Sequence, residues 1–320
     1  MVAKSWIVAA LLTCTGSAAL AQDANITAAI PDIERMLAAE PFAIVSAEIS
    51  RPKAKGDITL KADVRCGDAE PLRVKLRKAE RGADTFNNVP RYDLAAYELQ
   101  KLYLDPPEYV VPPTALRMVP LADLRKYSPD VEATFPGTGE VLAVVQYWLH
   151  DIRVVADVLD PAMFETDPVY ARHIGQLNIL TYLIRHRDSN AGNFLIGRSW
   201  PGVRVFSIDH GVAFASIDGD RGMLWKDLRV RKLPADAVAR LRAVTSDDLA
   251  MRLGVVAQWR RQDGRYVPVP LGVNLAPTRG VRRSGDELQM GLTGAEIGEV
   301  ERLRLRLIAQ VDSGEITTSR

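Results

Sequence analysis

Two carboxylates and an amide near the middle of the chain have the types and spacing of a phosphate-handling site. They stand in His186-Arg187-Asp188-Ser189-Asn190-Ala191-Gly192-Asn193, followed by Phe-Leu-Ile-Gly, and in Val205-Phe-Ser-Ile-Asp209-His210-Gly211. If residues 194–197 pair antiparallel with 205–208 around Pro201-Gly202, with Gly197 facing Val205, then Phe194 opposes Ile208 and Ile196 opposes Phe206 on one apolar face. The same register sets Asn193 opposite Asp209 on the other face. Two oxygen donors at one end of a hairpin suit Mg²⁺ or Mn²⁺, which take hard oxygen ligands and leave positions for substrate phosphates and water. Asp188, five residues before Asn193, can accept the proton of an attacking hydroxyl. The expected chemistry is transfer of the γ-phosphoryl group of ATP to a hydroxyl. The same residues allow two other readings. His186 and His210 with Asp188 and Asp209 would make a transition-metal site for phosphoester hydrolysis. An exposed turn, with Asp188 and Asn193 as loop formers, would do no chemistry.

Elements that would position these groups are legible on both sides. Strands are expected at 43–50, 58–64 and 72–77, the third with Leu72, Val74 and Leu76 on one face and Arg73, Lys75 and Arg77 on the other. A lysine for the α/β-phosphates would be Lys75, on that polar face, or Lys78 just past it; a solvated basic face is the plain alternative. Asn88 and Pro90 start a helix reaching about Leu104, burying Tyr92, Ala95, Ala96, Leu99, Leu102 and Tyr103. Asp93 and Glu98 flank its buried face on opposite sides, so periodicity does not choose which acid meets the lysine. Further strands are expected at 109–120 and 141–149. Gln146-Tyr147-Trp148 would end the second as a hinge whose backbone can bind adenine, or as ordinary buried strand. The basic turn at 51–56 sits where a phosphate-covering loop belongs, but lacks a G-x-G-x-x-G pattern. Asp167-Pro168 caps a helix to Arg185 whose second half, from Ile179 to Ile184, is apolar nearly all round, and helices follow near 234–243, 246–253 and 293–311. Residues 260–291 read as irregular. Strands with one helix, then mostly helices, indicate an α+β chain of two lobes with a boundary near 148–152.

The spacing H-R-D-x-x-x-x-N is that of the protein-kinase catalytic loop, and Asp209-His210-Gly211 stands where D-F-G would be. Over about residues 43–255 the chain resembles the atypical kinase-like superfamily: the phosphatidylinositol 3- and 4-kinases and the Golgi casein kinase-type secretory kinases. The resemblance rests on Asp188…Asn193-Phe-Leu-Ile and on Ile208-Asp209-His210-Gly211-Val-Ala-Phe214, similar to I-D-N-G-x-A-F. Asp93-Leu-Ala-Ala-Tyr-Glu-Leu99 and Val111-Pro-Pro-Thr114 add support. It implies a two-lobed protein-kinase-like fold, with a β-rich N-lobe at 43–149 and a mostly helical C-lobe at 150–315. It also implies ATP with Mg²⁺ or Mn²⁺, Asp188 as base, Asn193 and Asp209 as metal ligands, and Lys75 on the phosphates, oriented by Asp93. The chain departs from the pattern twice. His210 replaces an Asn, and Asp93 replaces a Glu one methylene longer. The shortened acid and the scarcity of ATP outside the cytoplasm support a second reading, a pseudokinase or nucleotide-binding module.

Composition bounds the rest. Of 320 residues, 47% are hydrophobic and 25% charged, which excludes a disordered, collagenous or polytopic membrane chain. With 41 basic against 40 acidic side chains, no global field favours nucleic acid. Two cysteines make neither a disulfide scaffold nor a four-cysteine zinc site. Lys4, an apolar run and Ala19-Leu20-Ala21 have the order of a secretory signal at 1–21. Export to the periplasm or medium is therefore expected, with mature protein starting at Gln22 and 22–42 as an N-terminal extension. Arg260, Arg261, Arg265, Arg279, Arg282 and Arg283 form a local basic cluster. It is either a solvated loop or a contact for an acidic partner or anionic lipid head group.

Overall fold

Period-two patterning builds the first layer of the structure, a computed structural model that describes residues 24–39, 41–50, 58–85, 88–198, 203–214 and 223–319. Helix α1 (Ile30–Ala38), with proline in its first turn, buries Ile30, Ile33 and Leu37. Strands β1 (Phe42–Ile49), β2 (Thr59–Cys66) and β3 (Leu72–Lys78) follow, then α2 (Pro90–Gln100), β4 (Thr114–Pro120), α3 (Leu121–Arg125) and β5 (Glu140–Tyr147). The five strands form one antiparallel sheet in the order β1-β2-β3-β5-β4. β4 starts later than the expected residue 109 because Pro112 and Pro113 have no N–H for a ladder. The basic turn at 51–56 and the leader at 1–21 lie outside the described residues.

The remaining elements mix short strands with helices. They are β6 (Ile152–Val154), α4 (Pro161–Thr166), α5 (Pro168–Leu183), β7 (Phe194–Gly197), β8 (Val205–Ser207), β9 (Lys232–Pro234), α6 (Ala235–Ala243) and α7 (Ser246–Leu253). Then come β10 (Ala257–Gln262), β11 (Arg265–Pro268), β12 (Val281–Ser284), β13 (Glu287–Met290), α8 (Gly294–Asp312) and β14 (Thr317–Ser319). The class is α+β with several antiparallel sheets. Asp167 caps α5 by accepting from the N–H groups of Val169 and Tyr170. From Ile174 to Leu183 every residue of α5 is buried, as its all-round apolarity requires. Among the described residues, no helix is long and apolar enough to cross a membrane.

The β7–β8 register differs from expectation by one residue. Phe194 pairs with Ser207, Leu195 with Phe206 and Ile196 with Val205. Asn193 therefore sits beside Ile208, whose N–H donates to the Asn193 carbonyl at 3.0 Å, and not opposite Asp209. An apolar face fixes register only when the other face is polar. Here β7 and β8 are buried on both faces, and β6 pairs with the free edge of β7.

The stretch read as irregular is a four-stranded sheet, β11-β10-β13-β12. Asp263 and Gly264 both have positive φ, at 48° and 80°, making the tight turn between β10 and β11; Gly285, at 57°, serves the second hairpin. The Asp-Gly pair was the legible signal. In this sheet several arginines of the basic cluster have separate partners. Arg282 is 1% exposed and bonds to the carbonyls of Ala276, Gly254 and Leu292. Arg260 pairs with Glu287, Arg265 with Glu140, and Arg261 donates to the Gly137 carbonyl. β4, β5, α5 and α7 pack around α2, and Arg91 in its first turn reaches Gly291 after β13 and Glu296 in α8. Ten of the eleven residues of α2 are buried, where one amphipathic face was expected. Arg91 donates to Asp84 at 2.7 Å and to Glu296 at 2.6 and 3.0 Å. Arg91→Ala strands two part-buried carboxylates, and should lower stability by about 3 kcal/mol in urea denaturation.

Candidate functional site

Three elements meet behind the β7–β8 hairpin: β3, the first turn of α2, and the segment after β8. The residue at their junction is Arg77, which the sequence showed only as third member of the Arg73-Lys75-Arg77 face. Its guanidinium bridges Asp93 and Asp209. Arg77 is 5% exposed and Asp93 2%. Asp93 Oδ1 also accepts the His210 N–H at 2.9 Å. Burial pushes the Asp93 carboxyl up, opposed chiefly by Arg77. Lys75 Nζ lies 3.5 Å from Asp209 and makes no direct pair with Asp93. The expected Lys75–Asp93 pair is thus replaced by Arg77–Asp93. An aspartate is one methylene short, and a guanidinium two positions along the strand spans two carboxylates where an ammonium cannot. The other candidates fall away. Lys78, on the opposite face of β3, pairs with Glu80 at 2.8 Å. Glu98 pairs with Lys101 and Arg252.

Asp209 itself is strained. Its φ is 65°, in the left-handed region that costs a non-glycine residue about 1 kcal/mol. Such outliers persist where surrounding contacts over-determine them, and they cluster at functional sites. Here Arg77 holds the side chain, His210 N–H is anchored on Asp93, and the Gly211 carbonyl accepts the Val89 N–H at 3.2 Å. A Cβ on Gly211 would come within 2.9 Å of the Arg77 guanidinium, so any larger residue there must displace that group.

In front of this junction lies a cavity of about 270 Å³. Lys75, Gln146, Tyr147, Trp148, Asn193 and Asp209 line it, as do Ser50, Thr59 and Gly192. Pro112, Leu149, Ile152, Val154, Leu195 and Ile208 supply apolar walls that the sequence reading did not assign. Backbone N–H groups of Tyr147, Trp148 and His150 are already donated, to Pro113, Arg73 and Asn25. Gln146 donates to Thr114 Oγ1 at 2.9 Å, and the Tyr147 hydroxyl contacts Thr27. Of the hinge, Leu149 keeps an N–H without an acceptor among the described residues.

Asp188 is not a lining residue of the cavity. It is half-buried on the loop after α5, beside the cavity through Asn193, whose Nδ2 donates to the Asp188 carbonyl at 2.6 Å. Its carboxylate accepts from Asn190 at 2.9 Å. Among the described residues no three His, Cys, Asp or Glu side chains gather as a metal cluster. The His186 and His210 rings sit 5.0 Å apart in the interior, each 0% exposed, rather than in the cavity. Among the described residues that line the cavity, Asp209 is the acid and Asn193 a neighbouring amide that could supply oxygen donors to an ion.

The two histidines set an acid limit on stability. Burial drives the His186 pKa down to about 4 from 6.5, and holds His210 well below 6.5. The Ile208 backbone lies beside His186 without completing a hydrogen bond, and His210 Nε2 meets Ser207 Oγ at 2.9 Å. Above pH 6.5 both states are neutral and the full stability is present. As pH falls from 6.5 towards 4 the unfolded chain takes protons that the folded one refuses, and stability drains away, by about 3 kcal/mol for His186 alone. Urea midpoints should drop between pH 7.5 and 5.5, and His210→Asn should flatten the slope; parallel slopes would refute the assignment.

Compared with known proteins, the chain matches no protein-family model and no curated sequence significantly.

Proposed function

We propose that the chain is an ATP- and divalent-metal-dependent phosphotransferase, a kinase-like fold of two lobes working outside the cytoplasm on a hydroxyl of protein, lipid or sugar. The observation that carries the reading is the cavity itself. It gathers Lys75, three hinge residues, Asn193 and Asp209 from four separate segments, around apolar walls suited to a flat ring. A sheet in the order β1-β2-β3-β5-β4, with α2 delivering an acid behind it, supports the fold assignment. In this reading Leu149 N–H and the hinge receive adenine, Lys75 leaves Asp209 for the phosphates, and Asp209 with Asn193 would hold Mg²⁺ or Mn²⁺. The ion would offset phosphate charge. Asp188 takes the hydroxyl proton. A pseudokinase is the second reading, favoured by the engagement of Asp209 with both Arg77 and Lys75, which a metal must compete against. Metal phosphohydrolysis loses ground with both histidines in the interior. The test is a thermal-shift titration with ATP and Mn²⁺, followed by isotope transfer from labelled ATP to protein, lipid and sugar acceptors. Binding with transfer supports the kinase, binding without transfer the pseudokinase. The absence of metal-dependent binding overturns both.

A further inference from the structure

Gln146 carries a polar atom that the fold buries and leaves without a partner among the described residues. It sits next to last in β5, paired with Lys75 of β3 on one side and Thr114 of β4 on the other. Residues paired across an antiparallel sheet project from one face, so Gln146 shares the face of Lys75, Arg77 and Thr59. That face is a wall of the cavity, which Gln146, Lys75 and Thr59 line. Gln146 is 3% exposed. Its neighbour decides which end of its amide meets the cavity. The Thr114 hydroxyl has one proton and donates it to the Pro112 carbonyl at 2.8 Å. Thr114 Oγ1 can then only accept, and it accepts from Gln146 Nε2 at 2.9 Å. The amide nitrogen is thereby fixed towards β4. The oxygen, Oε1, has no donor among the described residues, and unlike Thr59 Oγ1 it is not sealed away from water. On a side chain otherwise enclosed, the accessible oxygen of a lining residue opens into the cavity.

A buried acceptor without a donor is costly, and a ligand can supply what the fold does not. We infer that Gln146 is a specificity-determining residue, whose Oε1 reads the exocyclic amine of the nucleotide base. The inference rests on the proposed nucleotide site and adds a side-chain reader to the backbone of its hinge. Leu149, three residues further along, offers an N–H without an acceptor among the described residues. Adenine presents an N6–H donor beside an N1 acceptor on one edge. With N6 at Gln146 and N1 at Leu149, both groups find partners. A 6-oxopurine in the same pose reverses both contacts. Its O6 carbonyl faces Oε1, and its N1–H faces the Leu149 N–H. Sites built to receive a hydrogen bond reject analogues that cannot make it, because buried polar groups are left unmatched. Gln146 cannot flip its amide to suit such a base, since Oε1 would then meet Thr114 Oγ1, whose proton is committed to Pro112.

The experiment is titration of the full chain, in Mn²⁺, with ATP and with inosine triphosphate, which differ only along this edge of the base. Wild-type protein should bind ATP at least about tenfold more tightly. Thr114→Val changes a residue that does not line the cavity, keeps the side-chain shape and removes the hydroxyl. The Gln146 amide can then turn its nitrogen to the cavity, and the preference for ATP should shrink severalfold. Gln146→Leu removes the acceptor and should lose the preference too. Each ratio compares two ligands on one protein, so a general loss of stability cancels. Equal binding of the two triphosphates by wild type overturns the inference and leaves the proposed function standing. A preference that both variants keep overturns it as well, in favour of the hinge backbone. Binding of neither triphosphate overturns the nucleotide reading itself, and this inference with it.

Discussion

On the proposed phosphotransferase reading, Asp209→Ala should remove manganese-dependent binding of ATP, while Asp188→Asn should leave that binding within about twofold of wild type and cut phosphoryl transfer by about 10²–10⁴. The asymmetry follows from where the two carboxylates sit. Asp209 opens into the cavity and is, among the described residues, the sole acid lining it. An ion bridging phosphates would lose its one charged protein ligand there, and Lys75 and Arg77 would be left repelling the metal. Asp188 lies outside the lining, joined to the cavity through the backbone contact with Asn193. Its amide isostere keeps the bond from Asn190 feasible and loses only the basicity. Thermal-shift titration with ATP and Mn²⁺ reads binding, and isotope transfer reads chemistry. Equal loss of binding in both variants would contradict the division of roles.

Arg77→Met should destabilise the protein by about 3–5 kcal/mol and, on the proposed reading, abolish nucleotide binding as well. The substitution keeps most of the side-chain volume and removes the charge. Asp93, 2% exposed, then faces Asp209 with no guanidinium between them. A carboxylate stranded in that way costs far more than an exposed pair, because water cannot reach it. Arg77→Lys should fall between, since one ammonium cannot serve two carboxylates in fixed geometry. Asp93→Glu, attractive on the family pattern, should also harm: the longer acid must fit between Arg77 and the His210 N–H in a space already filled. Gly211→Ala presses a methyl against Arg77 and should mimic a milder loss. Urea denaturation and ATP titration measure the series; an Arg77→Met protein within about 1 kcal/mol of wild type would refute the bridge.

Local patterning alone identified β1, β2, β3, β5 and the helices α5 to α8, because each had a clear period, a capping Asp or Thr, or a proline that starts or stops it. The Asp188, Asn193 and Asp209 motif was legible for the same reason, being short in sequence and rich in residue types with one chemical use. Sequence also singled out Asp93 over Glu98 through the motif around it. What it could not supply was the partner. Lys75 and Arg77 share a strand face, and only the path of α2 across the sheet decides that Arg77, not Lys75, meets Asp93. The β7–β8 register escaped because tertiary packing buries both faces, which removes the alternation that register depends on. The burial of α2 on all sides, with α7 packed on it and α8 tied to its first turn, escaped too. Its main tie, Arg91 to Glu296, spans 205 residues, and local pattern holds no information at that separation. Residue type and spacing thus determined which chemistry was available, and long-range packing alone decided which charges neutralise one another.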